Sequence, residues 1–517
     1  MKIVSVAQMK AIEQAANETG ITYQAMMENA GSGVAEWAMA HLDLTRGVIG
    51  LVGSGNNGGD TLIALTRLAE RGIRIFAFLV RHRENDPLVE AYKMAGGAII
   101  DLVEQDTLSY LNAALIPGAV LLDGMLGTGL RLPLKGSLKA LMERIHILVQ
   151  DQPDIQIIAV DCPSGVDCDS GEAASQCLKA KFTLTMAAVK KGLLQEPANN
   201  LAGQIHLVDI GIGDIEQYIS EPLAALMDYE MASRLLPKRP ESGHKGTFGT
   251  CLVLAGTRQY TGAAYLAGKA AYRAGCGLVN IATLPEVRNS LSGRLIEAVW
   301  TLLPEKGQGY AKAGVEVLRK PLEGVNSIAL GPGWGLQGSN HEFLEALLPL
   351  LSKDLPAVFD ADGLKLLAGI DYWWEKVPAQ TILTPHPGEM AQLTGLSIAE
   401  IQSKRWEIAG TYAGKWGVTL VLKGALTVIG LPNGGLIVSP ISESALGTAG
   451  SGDVLTGVIG GLLAQGLNAL DSAILGVWLH GMAGQQAHHH LGVAASVTAL
   501  DILEALPAAF RKTKRLV

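Results

Sequence analysis

The sequence predicts an α/β protein of two domains, and three observations carry that prediction. Short, fully apolar, β-rich runs alternate with helical patterns along both halves of the chain, as in parallel sheets covered by helices on both faces. Sixty-two of the 517 residues are glycine and only 17% are charged, which fits many tight strand-to-helix turns and not disorder. A chain of 517 residues with 48% hydrophobic side chains also exceeds one domain of about 100–200 residues.

The elements follow in order. Residues 1–20 read as an amphipathic helix opened by a Ser5–Gln8 capping box, with Glu13 and Glu18 where a signal peptide would be apolar. Strands are expected at 48–52, 73–80, 120–122, 155–160, 182–186 and 205–208, then at 250–254, 279–282, 327–330, 357–359, 382–383 and 419–422. Between the two series, 215–242 shows no strand-like run and ends in Pro237-Lys-Arg-Pro240, which resists both helix and sheet. The boundary is placed near residue 225, giving domains 1–225 and 226–517. No motif repeats between the halves, so they read as two different domains fused and not as a duplication.

Charge and cysteine content narrow the function. The 41 basic and 49 acidic residues leave a net charge of −8 with no long run of one sign, so the electrostatic footprint of a nucleic-acid binder is missing. The five cysteines are odd in number, lie in apolar surroundings and lack zinc-site spacing, which fits a reducing compartment. The longest charge-free apolar stretch, 454–470, contains four glycines, Gln465 and Asn468 and falls short of a membrane span. A soluble, cytoplasmic protein is expected, its oligomeric state left open, with a homo-oligomer compatible.

Three strand ends in the first half carry chemistry. Gly53-Ser-Gly-Asn-Asn-Gly-Gly-Asp60 follows an apolar strand and precedes a helical pattern over 61–70, so backbone N–H groups and a helix N-terminus would form an anion site suited to a nucleotide phosphate. Its glycine spacing is not that of the dinucleotide fingerprint. The segments Leu121-Leu-Asp-Gly-Met-Leu-Gly-Thr-Gly-Leu130 and Val160-Asp-Cys-Pro-Ser-Gly-Val-Asp167 also end strands. Ligands of open α/β sheets bind at the carboxyl ends of strands, so Asn57, Asp123, Asp161 and Ser164 could converge on one crevice. The plainer alternatives are a tight turn for the glycine segment and capping or turn-forming for Asp123 and Asp161.

The second half carries Gly447-Thr-Ala-Gly-Ser-Gly-Asp-Val-Leu-Thr456, a glycine-rich loop running into an apolar helix. Such a loop offsets charge on a phosphoryl group, and Asp453 in the first turn can act as a base on a hydroxyl; a simple helix cap is the alternative. His244-Lys-Gly-Thr-Phe-Gly249, Tyr260-Thr-Gly-Ala-Ala264, Gly331-Pro-Gly-Trp-Gly335, Asp360-Ala-Asp362, Thr384-Pro-His-Pro-Gly-Glu389 and Lys423-Gly-Ala-Leu-Thr427 mostly lie where strand runs end. His386 can be a satisfied loop histidine and Lys423 a solvated strand-end charge. His488-His489-His490 reads as surface, since adjacent helical positions do not share a face, and Trp373-Trp374 as a packed helix edge.

These motifs carry a family resemblance in each half. Over about residues 1–215, GSGNNGGD, DGMLGTGLRLP and VDCPSGVD resemble the NAD(P)HX epimerase domain, also known as the YjeF N-terminal domain, which implies a Rossmann-like, doubly wound sheet. The resemblance implies that Asn57, Asp123 and Ser164 bind a potassium ion, whose preference for hard oxygen ligands they suit. It implies that Asn56, Asn57, Gly58, Gly59 and Asp60, with Gly127, Thr128, Gly129, Leu130, Arg131, Leu132 and Pro133, contact substrate, and that Asp161 does acid/base work. Thr61 stands where the family usually has glycine, tightening the first helical turn, and Cys162 replaces an aliphatic residue.

Over about residues 230–510 the second set is similar to the ADP-dependent NAD(P)H-hydrate dehydratase, or YjeF C-terminal, domain of the ribokinase-like fold. That resemblance assigns Asp453 to the substrate hydroxyl, Ala263, Gly333 and His386 to the hydrated nicotinamide nucleotide, and Gly452 with Lys423, Gly424, Ala425, Leu426 and Thr427 to ADP or ATP, with Mg²⁺. Trp334, where an aliphatic residue is common, is expected to narrow the pocket. Together the halves imply a repair enzyme that epimerises the R and S hydrates NADHX and NADPHX and dehydrates the S form with ADP, giving AMP and phosphate. The rival readings are an ordinary small-molecule kinase in the second half and a silent nucleotide-binding module in the first.

Overall fold

The structure, a computed structural model, describes residues 1–103, 107–150, 152, 154–220 and 223–514. The chain divides into two compact units, Met1–Ala224 and Ala225–Val517.

In the first unit, the Ser5 side chain accepts from the Gln8 backbone and the Gln8 side chain accepts in return, so the capping box opens the Val6–Glu18 helix as expected. The sheet runs Ile99–Asp101, Ile75–Leu79, Val48–Val52, Val120–Gly124, Gln156–Val160, Phe182–Met186, Gln204–Val208, all parallel. Numbered along the chain within this sheet, the order is 3-2-1-4-5-6-7, the doubly wound, Rossmann-like order. It reverses between Val48–Val52 and Val120–Gly124, the switch point at whose carboxyl edge ligands bind. Val48 and Val52 enter one core cluster, while Ile49 and Leu51 enter another. Alternate side chains of one strand thus fill both layers, which is why the strand reads as an unbroken apolar run.

In the second unit the sheet runs Val299–Leu302, Leu278–Thr283, Thr250–Leu254, Ser327–Leu330, Ala357–Phe359, Thr381–Leu383, Thr419–Leu422, Val428–Gly430, Leu436–Val438. It is parallel up to Thr419–Leu422, and the last two strands pair antiparallel. The α/β class expected of both halves holds.

Three expectations are corrected. The stretch 215–242 does contain a strand, Ala224–Leu226, with Ala225 opposite Ile437 and Leu226 opposite Val438; three residues are too few to show a periodicity. The helix expected over 61–70 begins at Asn56, so Asn-Asn-Gly-Gly-Asp forms its first turns despite the low helix propensity of glycine. Packing explains this, because a Cβ on Gly58 would stand 2.0 Å from the Gly53 carbonyl oxygen. Trp334 narrows no pocket: it is fully buried, donates to the Leu254 carbonyl at 2.7 Å and packs edge-on against Tyr310 and Phe343.

Candidate active sites, one in each unit

A cleft of about 1470 Å³ opens at the switch-point edge of the first sheet. Asn56, Asn57, Asp60, Gly127, Thr128, Gly129, Leu130, Arg131, Leu132, Pro133 and Asp161 all line it. Gly58 and Gly59 do not; they face Gly53, Met27 and Leu88 inside the fold.

Beneath the cleft lies a set of buried oxygens. Asp123 and Ser164 are fully buried. Asp123 Oδ2 accepts from the Ser164 backbone N–H at 2.9 Å, and Ser164 Oγ accepts from the Leu126 N–H at 2.9 Å. Asn57 Nδ2 donates to the Leu126 carbonyl at 2.8 Å, while Asn57 Oδ1 is buried with no partner. An orphaned buried acceptor costs about 1–3 kcal/mol, and burial also pushes the Asp123 carboxyl up, against the Ser164 hydrogen bonds. A hard cation among these oxygens relieves both, so the residues fit the ion the sequence implies. Thr61 donates to the Asn57 carbonyl at 2.8 Å, which ties the first turn that presents Asn57.

Asp161 ends the Gln156–Val160 strand with φ 63, a left-handed conformation rare outside glycine. Its Oδ1 accepts from Lys190 Nζ at 2.5 Å, the Met186 N–H at 3.1 Å and Thr185 Oγ1 at 3.3 Å. Lys190 is 1% exposed and gives its other protons to the Met186 carbonyl and Thr185. All three bonds fall on Oδ1, leaving Oδ2 as the oxygen available to a ligand. Lys190 was missed by sequence reasoning, because its buried position goes with the parallel pairing of Val189–Lys190 with Lys2–Val4, which joins segments far apart in the chain.

In the second unit, Asp453 lies in the first turn of the Ser451–Ala464 helix, after Gly450 at φ 87. Burial, the neighbouring Asp360 carboxylate and further acids push its carboxyl up to about 7, against Lys423, so it can take a proton near neutrality. Lys423 is no solvated strand end. Its Nζ donates to Asp360 Oδ1 at 2.7 Å and lies 3.6 Å from Glu389 Oε2, and although burial alone would lower it, these carboxylates hold it above the ordinary lysine value. Thr456 Oγ1 donates to Asp360 Oδ2 at 2.6 Å. Gly452 borders the pair: a Cβ there would sit 3.3 Å from both Asp360 Oδ2 and Lys423 Nζ. Asp360, Glu389 and Thr456 had no assigned roles from the sequence.

The remaining expected residues fall as follows. A Cβ on Gly333 would stand 2.8 Å from that of Ala263, so these two do meet. The Ala263-bearing helix, Thr261–Arg273, packs on the Asp453 helix where a Cβ on Gly457 would be 2.1 Å from the Ala267 carbonyl. His386 caps the Pro387–Thr394 helix, its Nδ1 accepting from the Gly388 and Glu389 N–H groups, with Nε2 3.2 Å from Glu389 Oε1. Burial would raise Glu389, but His386 and Lys423 hold it at about 2. Gly424 and Ala425 are exposed. Leu426, at φ 51, is buried, and Thr427 Oγ1 donates to the Gly424 carbonyl at 3.0 Å. Arg405 braces this turn by donating to the Leu422 and Lys423 carbonyls. His489 and His490 are exposed as expected, but His488 pairs with Glu443 at 3.1 Å, and Trp373 is buried beside Trp416.

Comparison with known proteins assigns both halves to families. The NAD(P)H-hydrate dehydratase family matches residues 251–508 and the YjeF-related protein N-terminus matches residues 23–192. The bifunctional NAD(P)H-hydrate repair enzyme Nnr of Moorella thermoacetica is 35% identical over 527 aligned positions, covering 100% of this chain and 98% of its own. The chain belongs to this family of bifunctional NAD(P)H-hydrate repair enzymes. It is an enzyme, with the family's epimerase module in its first half and the dehydratase module in its second. Among solved structures, the ADP/ATP-dependent NAD(P)H-hydrate dehydratase from Bacillus subtilis, co-crystallized with ATP/Mg²⁺, is 31% identical with a TM-score of 0.48, covering 56% of this chain and 99% of its own. A ribokinase-like superfamily protein from Enterococcus faecalis is 25% identical with a TM-score of 0.48, covering 56% and 96%. Among the described residues no helix is long and apolar enough to cross a membrane, and no group of three or more His, Cys, Asp or Glu side chains could hold a metal ion.

Proposed function

We propose that the first unit interconverts the R and S epimers of NADHX and NADPHX at the cleft built on Asn57, Asp60 and Asp161, and that the second dehydrates the S epimer at Asp453. The substrate carries a hydroxyl on the carbon next to the ring nitrogen. In the second unit Asp453 accepts the hydroxyl proton as a phosphoryl group arrives from ADP, giving AMP; phosphate then leaves, which hydroxide does poorly, as the ring nitrogen donates its electrons, and the resulting iminium loses a proton from the adjacent ring carbon to water, restoring the double bond. The Gly450–Gly452 turn and the Lys423 ammonium offset the phosphoryl charge. The observation that carries this reading is Asp453 itself, a carboxyl held near 7 at a glycine-rich helix start beside a half-buried lysine. Lys423-Gly-Ala-Leu-Thr427 would hold the nucleotide.

Magnesium, on this reading, enters with the nucleotide, since such ions are held by one or two carboxylates plus substrate phosphates; Glu389 would supply the protein's share, leaving Asp453 to act as base, and the ion would neutralise phosphate charge. Potassium would sit among Asn57 Oδ1, Asp123, Ser164 and the Leu126 carbonyl, fixing the loop that forms the cleft wall. The domains 1–225 and 226–517 act as separate catalytic modules in the cytoplasm. A free-phosphate assay tests the second half: stoichiometric release of phosphate with recovery of reduced nicotinamide supports dehydration, whereas a stable phosphorylated product means a kinase. Interconversion of the epimers by residues 1–225 separates the epimerase from a silent binding module.

A further inference from the structure

Of the carboxyls that line the first-unit cleft (Glu13, Asp60, Asp86 and Asp161), Asp60 is the most deeply buried. It is 7% exposed, it lines the cleft, and its side chain makes no hydrogen bond or ion pair with any described residue. Its oxygens are not shut off from solvent without a partner as Asn57 Oδ1 is; they reach the cleft, where a ligand can exchange a proton with them. The charged groups around it come from four elements: Asp161 at a strand end, Lys190, Glu13 on the Val6–Glu18 helix, and Arg83. Asp161 is already tied to Lys190 through Oδ1, and Arg83 is engaged with Asp86 and the Gly53 carbonyl.

We propose that Asp60 is the general acid of epimerisation, donating its proton to the departing hydroxyl on one face of the ring while Asp161 serves as base on the other. The inference rests on the epimerase reading above. As the carbon–oxygen bond breaks, its electron pair goes to the hydroxyl oxygen, the Asp60 proton joins it, and water leaves. The ring nitrogen lone pair forms the carbon–nitrogen double bond. A second water attacks the opposite face, its proton passes to Asp161 Oδ2, and the electrons return to nitrogen. One water is lost and one gained, and the roles exchange for the reverse epimer. Two carboxyl groups with opposed environments are what this division requires: burial, with Asp161 and Glu13 nearby, pushes Asp60 well above the ordinary carboxylate range against Lys190 and Arg83, while Asp161 has an ammonium on one oxygen.

The test uses the full-length enzyme with separated epimers in ¹⁸O-labelled water, comparing wild type, Asp60→Asn and Asp60→Glu across pH. Because the acid must be protonated, wild-type epimerisation falls as pH rises through the Asp60 titration. Asp60→Asn should cost at least about 100-fold and abolish that alkaline limb with an unchanged melting profile; Asp60→Glu should restore the limb at a reduced rate. The inverted product should carry one solvent oxygen. Asp60→Asn within threefold of wild type, or a slowed variant that keeps the alkaline limb, overturns the role of Asp60, and inverted product without label overturns the departing hydroxyl. A wild-type enzyme that interconverts no epimers overturns the epimerase reading itself, a result distinct from either.

Discussion

Lys190 and Asp161 form an ion pair of 2.5 Å in which the lysine is almost wholly buried and all its donors are used within the fold. The pair fixes the direction of the proposed base, leaving one carboxylate oxygen for the substrate.

Removing one member of a buried pair leaves an uncompensated charge and costs about 3–5 kcal/mol, more than the pair itself contributes. Lys190→Met should therefore lower the stability of the first unit by that amount and abolish epimerisation. The double variant Lys190→Met/Asp161→Asn should recover much of the stability but none of the activity. Chemical denaturation of residues 1–225 measures this; equal stability of single and double variants would show the pair to be uncoupled.

Asp453, held at about 7, acts in its ionised form, so dehydration should fall as pH drops below about 7 and level off above it. Asp453→Ala should lose on the order of 10²–10⁴-fold in nucleotide-dependent recovery and leave epimer interconversion intact. Rates measured from pH 5.5 to 8.5 check the sign, and a loss below tenfold removes Asp453 from the base role.

The orphaned Asn57 Oδ1 beside the buried Asp123 and Ser164 predicts that potassium raises the melting temperature and rate of the first unit. Asp123→Ala should abolish the thermal response and slow epimerisation while the second reaction persists. Equal melting temperatures of wild type in potassium and in a bulky organic cation would leave the oxygens without an ion.

Each unit has its own hydrophobic core, with Ile12, Val48 and Leu122 in one and Leu252, Val358 and Leu479 in the other. Fragments 1–225 and 226–517 should thus fold separately and keep their own reactions. An insoluble or inactive fragment would contradict two modules.

The sequence shows the parts whose signal is local. Apolar runs such as 48–52 announce strands because both faces are buried, and glycines that approach backbone closely, such as Gly58 and Gly53, mark the ligand edge. Short edge strands such as Ile99–Asp101 and Val299–Leu302 carry too few buried positions to stand out. Lys190 escaped notice, and Asp360 and Thr456 were given no role, because their importance lies in partners 29, 63 and 96 residues away. A lone lysine or threonine in sequence shows nothing of such pairing.

The most direct measurement is absorbance at the reduced-nicotinamide band when the full chain meets a mixture of R and S hydrates with ADP, ATP or no nucleotide. Two coupled modules predict no recovery without nucleotide and, with it, enzyme-paced recovery of the whole mixture, reduced by Asp161→Asn to a fast phase equal to the S fraction. Recovery that stops at the S fraction in the wild type, or none with either nucleotide, would contradict the account.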